Sequence, residues 1–203
     1  MMQYQKETIG NRVLAKRRKG CPMDLLKEKV YTSEDYWNLP EGHRAELIDG
    51  QFYNMAPPNY VHQKLLSELH HRLMGYVKKQ QGECEIIPAP FAVNLNADDE
   101  RWVEPDISVI CDKSKLTDRG CDGAPDFIVE IVSPGSRKMD YGTKMVLYME
   151  AGVREYWIVD PAKKCTAVYR FEEDVAPILF PFDRDIVVGI YGDLSVNIAD
   201  LMK

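Results

Sequence analysis

The segment PDFIVEIVSPGS, residues 125–136, constrains the fold more than any other part of the chain. When it is extended, apolar side chains fall on both of its sides, a pattern typical of a central strand covered by helices on both faces. The segment EPDISVIC, residues 104–111, repeats this pattern. Two such strands predict a layered α/β fold around a buried sheet.

The order of the other elements narrows the fold further. Apolar periodicity predicts one helix in NYVHQKLLSELHHRLMGYVKKQQG and a second at about 138–150. Between them we expect strands at 85–95, interrupted by Pro88 and Pro90, and at 105–111 and 127–133, and REYWIVDP supplies a strand after the second helix. A short helix in YTSEDYWNLP and a hairpin at Asp49-Gly50 come first, while CTAVYRF and DIVVGIYGDLSV add peripheral strands. The central order is therefore helix, three strands, helix, strand.

Residues 1–29 differ from the chain that follows, because they contain a basic cluster and little apolar periodicity. A solvated, flexible extension is favoured over an arm that contacts DNA. A natural start at Met23, with residues 1–22 outside the native protein, is a third alternative. From residue 30 to residue 203 the pattern is continuous and without internal repeats, which predicts a single domain.

Charge and composition exclude several classes of protein. The net charge of -6 argues against a surface that binds nucleic acid everywhere, although it is compatible with a local basic patch. No apolar run reaches the length of a membrane span and the N-terminus lacks a secretory signal, so we expect a cytoplasmic protein with no membrane partner. The five cysteines form no CxxC pair, which predicts reduced packing residues.

The position of Glu130 inside an apolar strand requires compensation, because a buried, unpaired carboxylate is costly. Asp106 begins the neighbouring apolar strand, and two converging carboxylates repel each other unless a cation lies between them. Mg²⁺ suits such a pair, since it prefers oxygen ligands and is typically held by one or two carboxylates and water. Lys144 is the candidate positive partner, because Asp140, Lys144 and Tyr148 share one face of the second helix.

Two further observations concern the same region. His62 lies at the start of the long helix, beside two prolines in sequence, and is a candidate to face the site. The residues alone also permit a surface ion pair between Asp140 and Lys144 that needs no function.

Three strings resemble the Uma-type restriction endonuclease family of the PD-(D/E)xK nuclease superfamily: PDISVI, DFIVEIVSPGSRKMDYGTKMVLYMEAGVREYWIVDP and, upstream, YTSEDYWNLPEGHRAELIDGQFYNM. The resemblance covers the chain from Tyr31 to its C-terminus. It implies a restriction-endonuclease-like core, α-β-β-β-α-β, with a mixed central sheet flanked by helices and extra peripheral strands. It also implies a Mg²⁺- or Mn²⁺-dependent endonuclease that hydrolyses DNA, acting as a homodimer on duplex substrate.

Carried over by position, the resemblance makes Asp106 the acidic residue of the PD element, Glu130 the second metal carboxylate and Lys144 the catalytic lysine. It matches Glu46 to a glutamate before the first hairpin, which implies a ligand that completes the metal shell through water, although a solvent-facing hairpin residue is an almost equally good interpretation of Glu46. Asp140 also matches a family position, as an accessory residue, but capping of the second helix is an equally good interpretation of Asp140.

One departure from the superfamily pattern keeps other functions open. Val132 occupies the position two residues after Glu130 where the superfamily has lysine, so the lysine would come from the following helix. A catalytically inactive nuclease-like fold that binds DNA or protein is the main alternative, with Glu130 and Lys144 as a buried ion pair. A glycoside hydrolase is a weaker alternative, because the three tryptophans are not grouped with Asp106 and Glu130 in sequence.

Overall fold

The computed structural model describes residues 29–98, 100–173 and 175–203. The predicted extension, 1–29, therefore lies outside the described residues apart from Lys29. The division of the chain into this extension and a single domain at 30–203 stays a prediction. The helices are α1 Ser33–Trp37, α2 Tyr60–Lys79, α3 Lys144–Ala151 and α4 Ile198–Leu201. The strands are β1 Ala45–Ile48, β2 Gln51–Asn54, β3 Glu85–Pro88, β4 Val93–Asn94, β5 Trp102–Val103, β6 Ile107–Ile110, β7 Leu116–Thr117, β8 Gly120–Asp122, β9 Phe127–Ile131, β10 Glu155–Asp160, β11 Cys165–Arg170, β12 Ile178–Pro181, β13 Asp185–Val187 and β14 Ser195–Asn197.

The central sheet has six strands in the order β12-β11-β10-β9-β6-β3. Strands β9 and β10 are parallel and the other neighbours are antiparallel, so the sheet is mixed. Helix α2 precedes β3, β6 and β9, and α3 makes the crossover that parallel pairing of β9 with β10 requires. This confirms the predicted restriction-endonuclease-like core and its helix, three strands, helix, strand order.

Both faces of the central sheet are covered, which explains the apolar character of β6 and β9. Helix α2 packs on one face, where Leu65 and Leu69 join Val129 in a large apolar cluster. Helix α3 packs on the other face, where Tyr148 joins Ile128. Within the described residues, no helix combines the length and the apolar character that spanning a bilayer requires.

A second sheet, in the order β2-β1-β5-β4-β8-β7, also packs on the α3 face of the central sheet. Its first hairpin turns at Asp49 and Gly50 with φ of 49° and 73°, as the sequence predicts. The strand expected at 85–95 is interrupted at Pro88 as predicted, but its two parts do not form one strand, because the chain leaves the central sheet after Pro88 and joins the second sheet at Val93. Proline has no N–H to donate to a ladder, so the Pro88–Pro90 segment suits a crossing between sheets.

The expectation that every cysteine is reduced is also wrong. Cys84 and Cys111 form a disulfide, while Cys121 and Cys165 are free. The antiparallel register pairs Glu85 with Ile110, so the two bonded cysteines face each other at the next position along β3 and β6. A separation of 27 residues in sequence gives no sign of this pairing.

Candidate active site

Asp106 and Glu130 lie side by side at one end of the central sheet. The register pairs Ile107 with Val129, so the next pair along β6 and β9 is Asp106 and Glu130. The backbone N–H of Ile131 donates to Asp106 Oδ2 across 2.7 Å, which ties the Asp106 side chain to the end of β9. The two carboxylates predicted to converge are therefore neighbours.

Lys144 is the positive partner of Glu130. Its Nζ atom lies 2.9 Å from Glu130 Oε1 and 2.8 Å from Glu46 Oε1. All three side chains are buried, and they come from α3, β9 and β1, so the site joins both sheets and the crossover helix. Burial alone would lower the pKa of Lys144, but the charges of Glu130 and Glu46 outweigh it and hold that pKa well above its ordinary value. The ammonium group is therefore charged at neutral pH.

Asp140 reaches the same region from a wide, π-helical turn, Met139–Thr143, that leads directly into α3. Its Oδ2 accepts a hydrogen bond from Ser136 Oγ at 2.6 Å, and its buried Oδ1 has no hydrogen-bond partner among the described residues. Asp140 does not cap the helix. Burial raises the pKa of Asp140 to about 6 against the opposing charge of Lys144.

His62 contacts the site from the first turn of α2. Its Nε2 atom lies 3.1 Å from Asp106 Oδ2, and its buried Nδ1 has no partner among the described residues. Burial by itself lowers the pKa of His62, but the hydrogen bond to Asp106 and the charge of Asp106 reverse this and leave that pKa raised. A protonated His62 would therefore donate to Asp106 through Nε2.

Negative charge exceeds positive charge in this cluster. Glu46, Asp106, Glu130 and Asp140 share one lysine and one histidine. The pKa of Glu130 is raised to about 8, and burial is the largest cause. The charge of Lys144 lowers this pKa, while the charges of the other three carboxylates raise it further. An additional cation would therefore favour the ionised forms of these carboxylates.

Each of the four carboxylates uses one oxygen for contacts within the chain. These oxygens are Glu46 Oε1, Asp106 Oδ2, Glu130 Oε1 and Asp140 Oδ2. The second oxygen of each carboxylate accepts no hydrogen bond from the described residues. Mg²⁺ prefers carboxylate oxygens as ligands. The residues present fit this ion, because these oxygens accept no hydrogen bond and one of them, Asp140 Oδ1, is buried.

The described side chains do not form a complete metal-binding cluster. In the parts of the chain that are described, no three His, Cys, Asp or Glu side chains converge closely enough to hold a metal ion by themselves. Mg²⁺ does not require such a cluster, because it usually keeps several waters and takes one or two carboxylates. Asp106 and Glu130 meet that smaller requirement.

Some residues of the site were not singled out from the sequence. Tyr148, which the sequence places on the Lys144 face of the second helix without assigning it a role, donates from its hydroxyl to Glu130 Oε1 across 2.6 Å. Its i+4 spacing from Lys144 was the available signal. The backbone N–H of Glu104 donates to Glu46 Oε1 at 3.0 Å, and Arg44 Nε donates to Glu104 Oε2 at 3.0 Å. No pattern in the sequence indicates the contact between Arg44 and Glu104.

Comparison with known proteins gives three similarities. The Uma2 family model, described as "Putative restriction endonuclease", matches residues 33–186. "Uncharacterized protein slr1290" of Synechocystis sp. is 24% identical over 155 residues, which cover 76% of this chain and 78% of the relative. The crystal structure of "a putative nuclease belonging to DUF820" from Anabaena variabilis ATCC 29413 has a TM-score of 0.69 and 23% identity, and the match covers 84% of this chain and 97% of that chain. At this identity the solved structure supports the shared fold.

Proposed function

Because the chain belongs to the Uma2 family, we propose that this nuclease hydrolyses phosphodiester bonds of DNA with Mg²⁺ or Mn²⁺ as cofactor. One observation carries the proposal. Lys144 lies between the carboxylates of Glu46 and Glu130 at the end of β9, with Asp106 and Asp140 in the same cluster, and one oxygen of each carboxylate accepts no hydrogen bond from the described residues. Phosphoryl transfer needs such a site, because a cation must offset the negative charge of the phosphate.

In this proposal Asp106 and Glu130 bind the metal ion directly, and Glu46 contributes through water. When bound, the ion would lower the pKa of a water molecule and offset the charge that develops on the phosphate. Lys144 remains protonated because its pKa is raised, so it orients Glu130 and Glu46 and stabilises negative charge rather than accepting a proton.

The accessory residues act on the ligands. His62 Nε2 donates to Asp106 Oδ2, while Asp106 Oδ1 accepts no hydrogen bond from the described residues. Asp140 adds a third buried carboxylate close to Lys144, after Glu130 and Glu46, and the charge of Asp140 also raises the pKa of that lysine. Both residues would therefore hold the protonation states that metal binding requires.

The experiment is a plasmid-cleavage assay with Mg²⁺, Mn²⁺ or EDTA. Wild-type protein should nick or linearise the plasmid only with metal, and Asp106→Ala and Lys144→Ala should lower the rate about 100- to 1,000-fold. Asp200→Asn, an exposed residue paired with Lys203, is the control for charge and handling and should cleave at the wild-type rate. Equal cleavage in every lane would reject the proposal.

A homodimer is part of the same proposal, since two active sites would be needed to cut both strands at one position. Light scattering should give twice the chain mass, and linear plasmid should appear without an accumulating nicked form. A monomer that only nicks would contradict this part and leave the hydrolytic chemistry intact.

One observation favours a catalytically inactive, binding-only protein as a second candidate. Lys144 bridges Glu46 and Glu130, and this buried ion pair would stabilise the fold without any metal. The two candidates differ in how the stability of the Glu130→Gln variant responds to Mg²⁺.

A further inference from the structure

Helix α2 differs in charge from the protein as a whole. The chain has a net charge of -6, yet α2 carries Lys64, Arg72, Lys78 and Lys79 against a single acidic residue, Glu68. A row of basic side chains on one element of an acidic protein indicates a local site for an anionic partner.

The helical spacing places these charges on the outer side of α2. Lys64, His71 and Lys78 follow each other at intervals of seven residues, as do Arg72 and Lys79. Seven residues make about two turns, so each interval returns to nearly the same face and advances about 10.5 Å. The basic rows therefore run along the helix for about 22 Å.

A cavity of about 480 Å³ interrupts these rows near the C-terminal end of the helix. His71, Arg72, Gly75 and Lys79 form its α2 wall, and Asp193 and Ser195 lie opposite. We call this cavity the Gly75 notch. Arg72 Nη2 donates to the Ser195 carbonyl at 3.2 Å, which holds the guanidinium at the rim.

Gly75 is the second observation that points to a ligand. It lies inside an α-helix, where glycine makes the helix less stable than alanine would by about 1 kcal/mol. Glycine at this position therefore lowers the stability of the fold unless it serves another purpose. Beyond the adjoining turns of its own helix, a Cβ atom on Gly75 would meet no heavy atom of the described residues within 4 Å, so packing among those residues does not require glycine here. Glycine does allow the backbone of a ligand to approach a helix closely.

Taking the proposed nuclease function as the basis, we propose that the Gly75 notch and the basic rows of α2 bind the sugar-phosphate backbone of the substrate nucleic acid. The same helix begins at the candidate active site, where His62 contacts Asp106. Gly75 is 13 residues further along, or about 20 Å, and one strand of a duplex has a phosphate about every 3.4 Å of helix axis. The notch would therefore hold a phosphate about six nucleotides from the one that is cleaved.

One carboxylate in the notch opposes an anion. Asp193 accepts hydrogen bonds from the Tyr76 hydroxyl and from Gln80 Nε2, so both of its oxygens are engaged. Its charge should still weaken binding, and Asp193→Asn should strengthen it.

The test measures binding of a fluorescein-labelled duplex to the full chain in EDTA at several salt concentrations. Each phosphate contact contributes about 0.9 to the slope of log K against log salt. Arg72→Gln and Lys79→Gln should each reduce the magnitude of the slope by about 0.9. The ratio of the variant's affinity to that of wild type should therefore be about eightfold lower at ~0.1 M salt than at ~1 M salt. Lys29→Gln removes an exposed charge paired with Asp35 and should leave the slope unchanged.

Two substitutions at Gly75 make a matched pair. Glu and Lys have similar helix propensities, and the Tm of each variant measures the difference in stability that the neighbouring Arg72 and Lys79 introduce. Binding should move in opposite directions, about eightfold or more weaker with Glu and tighter with Lys. Equal affinities for the pair, or unchanged slopes for Arg72→Gln and Lys79→Gln, would overturn the proposal.

The outcome is separable from the proposed nuclease function. A wild-type protein that cleaves DNA while the α2 variants bind normally would refute the notch and keep the nuclease. Altered slopes in a protein that never cleaves would keep the notch and refute the nuclease. Variants that lose binding to anionic phosphatidylserine vesicles but not to nucleic acid would assign the surface to a membrane and also overturn the proposal.

Discussion

Lys144 Nζ lies 2.9 Å from Glu130 Oε1, although the two residues are separated by 14 positions in sequence and each is almost completely buried. The ion pair joins the strand that ends at the candidate site to the helix that follows it. Removing Lys144 would leave the buried Glu130 and Glu46 without their shared cation, which is costly, whereas removing Glu130 leaves Lys144 paired with Glu46. This relationship underlies the predictions for stability and metal binding.

Glu130→Gln separates a metal site from a structural ion pair. Glutamine has nearly the same shape and keeps an oxygen for Lys144 and Tyr148, while Lys144 retains Glu46. If Glu130 binds metal, the metal-free variant should be as stable as wild type within about 1 kcal/mol, and Mg²⁺ should no longer raise its Tm. Calorimetry with EDTA and with Mg²⁺ measures both effects.

The structural alternative gives the opposite result for the same variant. A loss of about 3–5 kcal/mol in EDTA, with no effect of Mg²⁺ on wild type, would identify a buried pair without metal. Asp200→Asn, which changes an exposed carboxylate in the same way, is the control and should leave both measurements unchanged.

The stability of the metal-free protein should fall as pH rises from about 4 to about 8. The pKa of Glu130 is raised from 4.5 to about 8 and that of Asp140 from 3.8 to about 6, and burial is the main cause of both shifts. In this interval the native state keeps protons that the unfolded state has released. The contribution of these groups to the free energy of unfolding is therefore complete at low pH and is lost as the pH rises through their pKa values in the native state. The raised pKa of His62 acts in the same direction.

Urea unfolding in EDTA at several pH values checks this trend. Glu130→Gln removes one of the titrating groups, and its unfolding free energy should decline less between pH ~6 and ~8. An unfolding free energy that rises over this interval in the wild-type protein would contradict the assignment of buried, proton-binding carboxylates.

Tyr148→Phe should destabilise the protein although the ring remains. The hydroxyl of Tyr148 is buried and donates to Glu130 Oε1 at 2.6 Å. A hydrogen bond to a charged group contributes about 1.5–3 kcal/mol, and that loss should appear in denaturant unfolding at pH ~9, above the raised pKa of Glu130. Tyr169→Phe is the matched control, because the Tyr169 hydroxyl forms no hydrogen bond with the described residues. Equal losses in the two variants would show that the Glu130 contact contributes nothing.

Two glycines should respond oppositely to alanine. Gly120 has φ of +146°, and a Cβ there would lie 2.1 Å from the Ala92 carbonyl oxygen, so Gly120→Ala should cost about 2–4 kcal/mol. Gly75→Ala should gain about 1 kcal/mol, because the helix is regular and the space is open. Thermal unfolding of the two variants beside wild type measures both. A stabilised Gly120→Ala variant would contradict the close approach of β8 to Ala92.

Much of the central fold could be predicted, because its signals are local. The apolar residues of α2 recur with helical spacing, and β6 and β9 are apolar on both sides, so the order of the core elements follows from the chain itself. The pairing of Asp106 with Glu130 also follows once β6 and β9 are neighbours, since it depends only on the register.

The second sheet could not be predicted in the same way. Strands β4 and β5 have only two residues each, too few to show any alternation. The chain changes sheets between Pro88 and Val93, and prolines in the sequence indicate an interruption without indicating where the chain goes next.

The sequence by itself therefore determined the layered core and the acidic residues that begin or end its buried strands, because periodicity and charge are properties of neighbouring residues. Only the tertiary structure decided that Glu46 joins Lys144, that Tyr148 bonds Glu130 and that Cys84 pairs with Cys111. Those contacts join elements far apart in the chain. Their geometry depends on how sheets and helices pack, which residue spacing does not encode.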